Sequence, residues 1–183
     1  MILIPDYLGR WYGPRYLIGI LFGRKRLQEY SEDIIQWCKK YTPSSDPIRI
    51  VIGYSMGGLI ARYIAKRLPS VQKLILVSTP NLGINKPARW KQLLLWRVKC
   101  VKDTLPKSAF LEKLNSELPL NCKVYLIGGS KDEVVSLDST LGITALPENH
   151  KVVLPLGHSE LIPLPDSKDQ GAIEKIIQFC KDP

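Results

Sequence analysis

Short runs of consecutive apolar residues alternate along this chain with segments in which apolar residues recur every three or four positions. The runs have the length of buried strands, and the recurring positions are typical of one face of a helix. Continuous apolar strands between amphipathic helices predict a mostly parallel sheet with helices on both faces, the α/β fold class. The predicted strands are 2–4, 48–52, 73–78, 124–127 and 151–154, and the predicted helical faces are 27–41, 59–68 and 172–180.

The segment from about 81 to 121 differs from the rest because it contains no clear strand. The chain has 183 residues and no internal repeat, a length that suits one compact domain. We therefore expect a single domain over 1–183 with a cap-like insertion at about 81–121. The last helix is expected to open with the capping-box pattern Ser167-Lys168-Asp169-Gln170.

Charge and cysteine content indicate which partners and which compartment to expect. The formal net charge is +9, from 26 Lys and Arg against 17 Asp and Glu, but the basic residues are scattered and no nucleic-acid-binding motif accompanies them. A nucleic-acid partner is therefore not expected. The four cysteines show no metal-ligand spacing, so no bound metal is expected. The N-terminus has no secretory pattern, which together with the scattered cysteines favours a reducing, cytoplasmic compartment. The cysteines are Cys38, Cys100, Cys122 and Cys180.

One motif carries candidate chemistry. Gly53-Tyr54-Ser55-Met56-Gly57 is a G-x-S-x-G sequence between a predicted strand and a predicted helix. This placement predicts a sharp turn that projects the Ser55 hydroxyl above the carboxyl edge of the sheet, with the Met56 N–H beside it as an oxyanion donor. The alternative is a glycine-rich turn with a serine that has no chemical role.

A serine nucleophile needs a base, and the chain has two histidines. His150 precedes strand 151–154 and His158 follows it, so strand direction places His158 at the carboxyl edge with Ser55. The acid that orients the imidazole is expected at the same edge. Asp132, after strand 124–127, is the favoured candidate, and Glu133 and Asp138 are nearby competitors. The chain order Ser, Asp, His is that of the α/β-hydrolases.

At these residues the chain resembles the α/β-hydrolase superfamily, and within it the bacterial lipase and esterase group and its PGAP1-like members. The stretch 53–63 is similar to that group's nucleophile segment, and Ser78-Thr79-Pro80-Asn81-Leu82-Gly83 is similar to its S-T-P-x-L-G segment. Asp132-Glu133-Val134-Val135 and Gly157-His158-Ser159 resemble the settings of the triad acid and base. The resemblance implies the α/β-hydrolase fold and a hydrolase that needs no cofactor.

The chain departs from the group's pattern near its N-terminus. The relatives have a strand that ends in His-Gly, whose following loop supplies a second oxyanion N–H, and this chain contains no His-Gly. In the favoured alignment, 4–9 corresponds to a later strand end, so the first strands and that loop are lacking. In the alternative alignment, 5–9 replaces the oxyanion segment, with the Tyr7 N–H as a candidate donor.

Substrate contacts are expected from Tyr54, Leu82 and Trp90. Trp90 belongs to an apolar stripe within 89–99 that is flanked by Arg and Lys. The stripe predicts either a cap helix that binds acyl chains or rests on a lipid surface, or an ordinary helix that faces the core.

The sequence thus predicts a serine hydrolase that cleaves small-molecule or lipid carboxylic esters through an acyl-Ser55 intermediate. Two alternatives use the same residues. One is a weakly active or inactive relative that binds a lipid, a membrane or a protein, which the missing His-Gly motivates. The other is an acyltransferase with the same triad.

Overall fold

The computed structural model describes residues 1–4, 25–41, 44–45, 47–84, 99–117, 120–143, 146–162 and 171–182. Within these ranges the strands are β1 (Ile2–Ile4), β2 (Ile50–Tyr54), β3 (Lys73–Val77), β4 (Lys123–Gly129) and β5 (Lys151–Leu154). The helices are α1 (Leu27–Tyr41), α2 (Met56–Arg67), α3 (Lys99–Asp103), α4 (Ala109–Ser116), α5 (Leu137–Leu141), α6 (His158–Leu161) and α7 (Ile173–Lys181). A 3₁₀ turn, Glu148–His150, precedes β5.

The five strands form one parallel sheet in the order in which they occur along the chain, β1-β2-β3-β4-β5. This confirms the α/β fold class and the parallel sheet. The register aligns Tyr54 with Val77 and Val77 with Ile127. The turns that follow β2, β3, β4 and β5 therefore come together at one edge, which we call the carboxyl edge.

The sheet has a core on each side because successive residues of a strand point to opposite faces. Buried residues of β2, β3 and β4 alternate between the two cores, as Leu74 and Ile75 do. One core is covered by helices α1, α2 and α4, and the other by α6 and α7. The first core contains Val51, Leu74, Leu76, Val124 and Leu126, and the second contains Ile52, Ile75, Val77, Tyr125 and Ile127.

Several predicted element bounds differ from the structure. Strand β2 is Ile50–Tyr54 instead of 48–52, β3 ends at Val77 instead of 78, and β4 is Lys123–Gly129 instead of 124–127. The last helix is expected to open at Ser167, which lies outside the described residues, and α7 begins at Ile173. Gly171 has a left-handed φ of 51° there, which breaks the helical path ahead of α7.

The middle segment is only partly described. Its described part holds α3 and α4 and no strand, whereas 85–98, with Trp90 and most of the predicted cap helix, lies outside the described residues. The cap therefore stays a prediction. Among the helices of the described ranges, none combines the length and the apolar character needed to cross a bilayer. All four cysteines are free, and Cys38 and Cys100 are buried.

Candidate active site

Ser55 occupies the turn between β2 and α2. Its backbone is left-handed, with φ 52° and ψ −129°, a conformation that costs a residue with a Cβ on the order of 1–3 kcal/mol. The turn also needs glycines around it. A Cβ on Gly53 would lie 2.5 Å from the Gly58 Cα, and one on Gly58 would lie 1.8 Å from the Thr79 Oγ1. The sequence therefore folds into the predicted strand-turn-helix, with Gly58 as the close-packed partner of Gly53.

Backbone hydrogen bonds hold this turn in place. The Ser55 amide donates to the Val77 carbonyl at 2.9 Å, and the Gly58 amide donates to the Ser55 carbonyl at 3.0 Å. Met56 is the first residue of α2, so its N–H has no acceptor within its own helix. The side chain of Met56 is buried. A backbone donor and the positive end of a helix dipole thus lie next to the serine.

Three side chains from separate turns of the carboxyl edge form one hydrogen-bonded series that begins at Ser55. His158, the first residue of α6, has its Nε2 3.0 Å from the Ser55 Oγ. Its Nδ1 lies 2.8 Å from the Oδ2 of Asp132, which follows β4. The structure therefore brings together Ser55, His158 and Asp132, the three residues that the sequence singled out. Glu133 and Asp138, the competing acids, are both exposed.

The Asp132 carboxylate is enclosed and fully hydrogen-bonded. Its side chain is 1% exposed, and its Oδ1 accepts from the amides of Val134 and Val135 at 2.8 and 2.9 Å. Burial raises the pKa of Asp132, but hydrogen bonds from His158 and Ser78 and from the Val135 amide outweigh it, so the pKa lies below its ordinary value. Asp132 is therefore an anion at neutral pH.

A fourth residue at this edge was not recognised as chemically relevant from the sequence. Ser78, which follows β3, donates its hydroxyl to the Asp132 Oδ2, and its Oγ lies 3.0 Å from the His158 Nδ1. Ser78 is fully buried and has a left-handed φ of 44°. The only sequence signal was its position at the head of the 78–83 segment, directly after a buried strand.

The three expected substrate contacts have different outcomes. The Tyr54 hydroxyl donates to the His158 carbonyl at 2.6 Å, and the two rings lie 5.1 Å apart, so Tyr54 contacts the base itself. Leu82 is 48% exposed on the 78–83 segment. Trp90 lies outside the described residues. Contact of any of the three with substrate stays a prediction.

A buried cation anchors the 78–83 segment from below. Arg62 of α2 is fully buried, and its guanidinium donates to the Oδ1 of Asn81 at 3.1 Å and of Asn115 at 2.9 Å. Burial lowers the pKa of Arg62 to about 10, which leaves it charged at neutral pH. The Asn81 Nδ2 in turn donates to the Thr140 carbonyl at 2.7 Å. These bonds join α2, α4 and α5 to the chain that leaves β3.

The position of β1 bears on the two N-terminal alignments. β1 is hydrogen-bonded directly to β2, with Ile4 beside Gly53 in the register. The chain therefore leaves β1 at the carboxyl edge, next to the Ser55 turn. A loop that gives an N–H to the oxyanion would leave the sheet at this edge, and which of the two alignments applies to 5–9 stays a prediction. Residues 5–9 lie outside the described residues.

The site contains polar groups but no metal-binding arrangement. In the part of the chain that the structure describes, no three or more His, Cys, Asp or Glu side chains are grouped so that they could hold a metal ion. The chemistry available to these side chains is proton transfer between a serine, an imidazole and a carboxylate.

Comparison with known proteins shows to which family the chain belongs. The profile of the family described as serine aminopeptidase, S33, matches residues 22–126, more than half of the chain. The chain belongs to this family. The chain is thus a member of a hydrolase family, and the match includes the Ser55 turn. No curated protein sequence matches the chain.

Solved structures share the fold of this S33 member. An N-acyl homoserine lactonase superposes with a TM-score of 0.59 at 14% identity, covering 86% of this chain and 72% of the lactonase. A monoacylglycerol lipase from Paleococcus ferrophilus gives 0.58 at 14%, covering 86% and 76%. A lipase-esterase related protein from Clostridium acetobutylicum gives 0.56 at 18%, covering 84% and 75%. At these identities the likeness establishes the α/β-hydrolase fold.

Proposed function

We propose that this chain is a serine hydrolase that cleaves carboxylic esters through an acyl-Ser55 intermediate. The observation that carries the proposal is the unbroken hydrogen-bonded series from the Ser55 Oγ to the His158 Nε2, at 3.0 Å, and from the His158 Nδ1 to Asp132, at 2.8 Å. Nucleophile, base and acid in this order are the arrangement that activates a serine hydroxyl at neutral pH.

In the first half of the reaction, the Ser55 Oγ attacks the ester carbonyl carbon while the His158 Nε2 takes the hydroxyl proton. The anionic Asp132 stabilises the imidazolium that forms. Negative charge develops on the carbonyl oxygen, and the Met56 N–H is the donor that we assign to it. The intermediate collapses when the C–O bond to the alcohol breaks and His158 returns the proton to the departing oxygen.

In the second half, His158 takes a proton from water, which attacks the acyl-Ser55 carbonyl. Collapse of the second tetrahedral intermediate releases the carboxylic acid and returns the proton to Ser55. No step requires a metal or an organic cofactor. If an alcohol replaces water in this half, the same residues perform acyl transfer, and analysis of the products distinguishes the two reactions.

An ester is the substrate class that the structural neighbours favour. The three named above are a lactonase, a monoacylglycerol lipase and a lipase-esterase related protein, and lactones and acylglycerols are both carboxylic esters. The family description names an aminopeptidase instead. Amide cleavage uses the same triad chemistry, so it is the contrasting arm of the test.

The test measures hydrolysis of a short-chain p-nitrophenyl ester and of an aminoacyl p-nitroanilide by the purified chain. We expect turnover of the ester, and Ser55→Ala is expected to lower kcat by at least about 10⁴-fold. A fluorophosphonate probe should label the wild type on the peptide that contains Ser55. Ser116→Ala is the control, because Ser116 is an exposed serine at the end of α4 and is not part of the site.

Each outcome has a defined meaning. Equal ester hydrolysis by the wild type and Ser55→Ala would refute the proposal. Turnover of the anilide without turnover of the ester would replace the ester by an amide. A folded chain that never reacts with the fluorophosphonate would instead support the inactive, ligand-binding alternative.

A further inference from the structure

The hydrogen of the Ser78 hydroxyl has one acceptor in the site. It donates to the Asp132 Oδ2, while the Ser78 Oγ also lies 3.0 Å from the His158 Nδ1. A hydroxyl has one hydrogen, and its oxygen has lone pairs that accept. Because the hydrogen is committed to the carboxylate, the Oγ can face Nδ1 favourably only if Nδ1 carries a hydrogen. The contact therefore agrees with the neutral imidazole that carries its hydrogen on Nδ1, the form that the Asp132 Oδ2 selects at 2.8 Å.

We propose that Ser78 is a positioning residue of this site, whose hydroxyl holds the Asp132 carboxylate in the orientation in which its Oδ2 accepts the His158 Nδ1 hydrogen. This inference rests on the proposed function and adds a fourth side chain to it. The imidazole with its hydrogen on Nδ1 has a lone pair on Nε2, facing the Ser55 Oγ at 3.0 Å. That is the form in which the imidazole accepts the serine proton.

The donors around Asp132 support this role. The amides of Val134 and Val135 occupy Oδ1, and His158 and Ser78 occupy Oδ2. Two donors on each oxygen fix the carboxylate against rotation about its Cβ–Cγ bond. Without the Ser78 hydroxyl, Oδ2 keeps the imidazole as its partner and loses the second donor that holds it in place.

The backbone at Ser78 supports the same conclusion. A left-handed φ of 44° is unfavourable for a residue with a Cβ, and glycine adopts it without strain. The Ser78 amide donates to the Ile127 carbonyl at 2.8 Å, which ties this turn to β4, the strand that leads to Asp132. The strained turn places the Ser78 hydroxyl against the carboxylate. A glycine at this position would relieve the strain but would lack the hydroxyl.

Burial excludes a role for Ser78 as a second nucleophile. Ser78 is 0% exposed, whereas Ser55 is 5% exposed, and the Ser78 Oγ lies against Nδ1, the imidazole nitrogen that faces Asp132. A substrate carbonyl cannot reach that side of the ring. Ser78 therefore acts through His158 and Asp132.

Imidazole tautomers give a direct readout that needs no substrate. The chain contains only two histidines, so ¹⁵N-histidine labelling produces two imidazole signals, with His150 as an internal reference. In the wild type at a pH where the ring is neutral, we expect His158 to show a protonated Nδ1 and an acceptor Nε2. In Ser78→Ala the anionic Asp132 still selects the Nδ1 hydrogen, and we expect faster solvent exchange of that hydrogen because the carboxylate has lost one of its donors.

Kinetics supply the second readout. Because a lost hydrogen bond to a charged group affects the transition state, we expect Ser78→Ala to lower kcat by about 10-fold or more, with KM nearly unchanged. Ser78→Gly removes the hydroxyl and the backbone strain together, so it remains informative if the alanine variant folds poorly. Ser31→Ala is the control, since Ser31 is fully buried in α1 and donates to the Leu27 carbonyl, away from the site.

The outcomes separate this inference from the proposed function. Unchanged exchange of the His158 Nδ1 hydrogen together with an unchanged kcat in Ser78→Ala and Ser78→Gly would overturn the role of Ser78 and leave the hydrolase intact. Faster exchange of that hydrogen in Ser78→Ala, in a chain that hydrolyses no ester, would support Ser78 as the positioning residue and count against ester hydrolysis. A wild-type His158 with its hydrogen on Nε2 would overturn the inference outright.

Discussion

The two edges of the sheet hold similar residues in different arrangements. At the carboxyl edge the His158 ring lies 5.1 Å from the Tyr54 ring, and Asp132 accepts from the imidazole. Towards the amino edge the His150 ring lies 4.5 Å from the Tyr125 ring. There Asp182 accepts from the hydroxyl of Tyr125, not from the histidine. We call Lys73, Tyr125, His150 and Asp182 the amino-edge cluster.

The amino-edge cluster fastens the C-terminal helix. The Lys73 ammonium donates to the carbonyls of Cys180, at 2.8 Å, and of Asp182, which lie at the end of α7. Cations near the last carbonyls of a helix stabilise it. The His150 Nδ1 lies 3.0 Å from the Val124 carbonyl, so this imidazole is held by the backbone.

Backbone geometry separates the two edges more than residue types do. Ser55 and Ser78, both at the carboxyl edge, have left-handed backbones, and the four residues of the amino-edge cluster do not. The carboxyl edge also has the beginning of α2 beside its serine, where free N–H groups favour a developing negative charge. Both edges thus have a histidine, a tyrosine and an aspartate. The carboxyl edge differs because strand direction and a strained turn also place a serine beside its histidine.

Replacement of each histidine by alanine gives the largest expected contrast between the edges. His158→Ala removes the base and should lower kcat for a p-nitrophenyl ester by at least about 10⁴-fold. His150→Ala should leave kcat within about 2-fold and lower the free energy of unfolding by about 1 kcal/mol, through the lost ring contact and backbone hydrogen bond. The measurements are steady-state kinetics and urea unfolding. A loss of kcat in His150→Ala equal to that in His158→Ala would remove the functional distinction between the edges.

A stability measurement tests the strain at the carboxyl edge. Ser55→Gly should have a free energy of unfolding about 1 kcal/mol higher than that of Ser55→Ala, because both lack the hydroxyl and only alanine keeps the Cβ in the left-handed conformation. The greater flexibility of glycine in the unfolded chain reduces this gain without cancelling it. Urea unfolding of the two variants provides the comparison. A glycine variant less stable than the alanine variant would show that the turn is not strained.

The sequence predicted the sheet and the edge of the site well, for a physical reason. The central strands β2, β3 and β4 lie between two cores, so their apolar runs are continuous and visible in the residue pattern. In a parallel sheet the residue that follows a strand lies at the carboxyl edge. That rule placed the turn of Asp132 and the turn of His158 beside the serine of the G-x-S-x-G motif, and it separated His158 from His150.

The sequence could not predict features that depend on distances between turns. Ser78 follows a strand as Asp132 does, but its contact with the carboxylate depends on a left-handed turn. The presence of a serine in the sequence does not predict that conformation. The Tyr54 hydroxyl reaches the His158 carbonyl across 104 positions of sequence. The capping-box pattern at Ser167 misplaced the start of α7 because a local pattern carries no information about the turn at Gly171.

The smallest expected effect is on the amino edge, where Tyr125→Phe removes the hydroxyl that donates to Asp182. The hydrogen bond that the Asp182 carboxylate accepts from this hydroxyl is the main reason why the pKa of Asp182 lies below its ordinary value. In the unfolded chain the carboxyl therefore binds a proton at a higher pH than in the folded chain. The stabilisation is complete above the unfolded pKa of Asp182, and it is lost as the pH falls through the lower folded value.

Tyr125→Phe should accordingly lower the free energy of unfolding at pH 7, because the hydrogen bond from the hydroxyl to the Asp182 carboxylate is lost. The difference from the wild type should shrink at pH 3, where Asp182 takes up a proton in the unfolded chain. Urea unfolding at the two pH values measures it. Because Tyr125 points away from the Ser55 edge, kcat should be unchanged. An equal difference in the free energy of unfolding at both pH values would mean that the stabilisation by the Tyr125 hydroxyl does not depend on the charge of Asp182. A fall in kcat would mean that the two edges are coupled through β4.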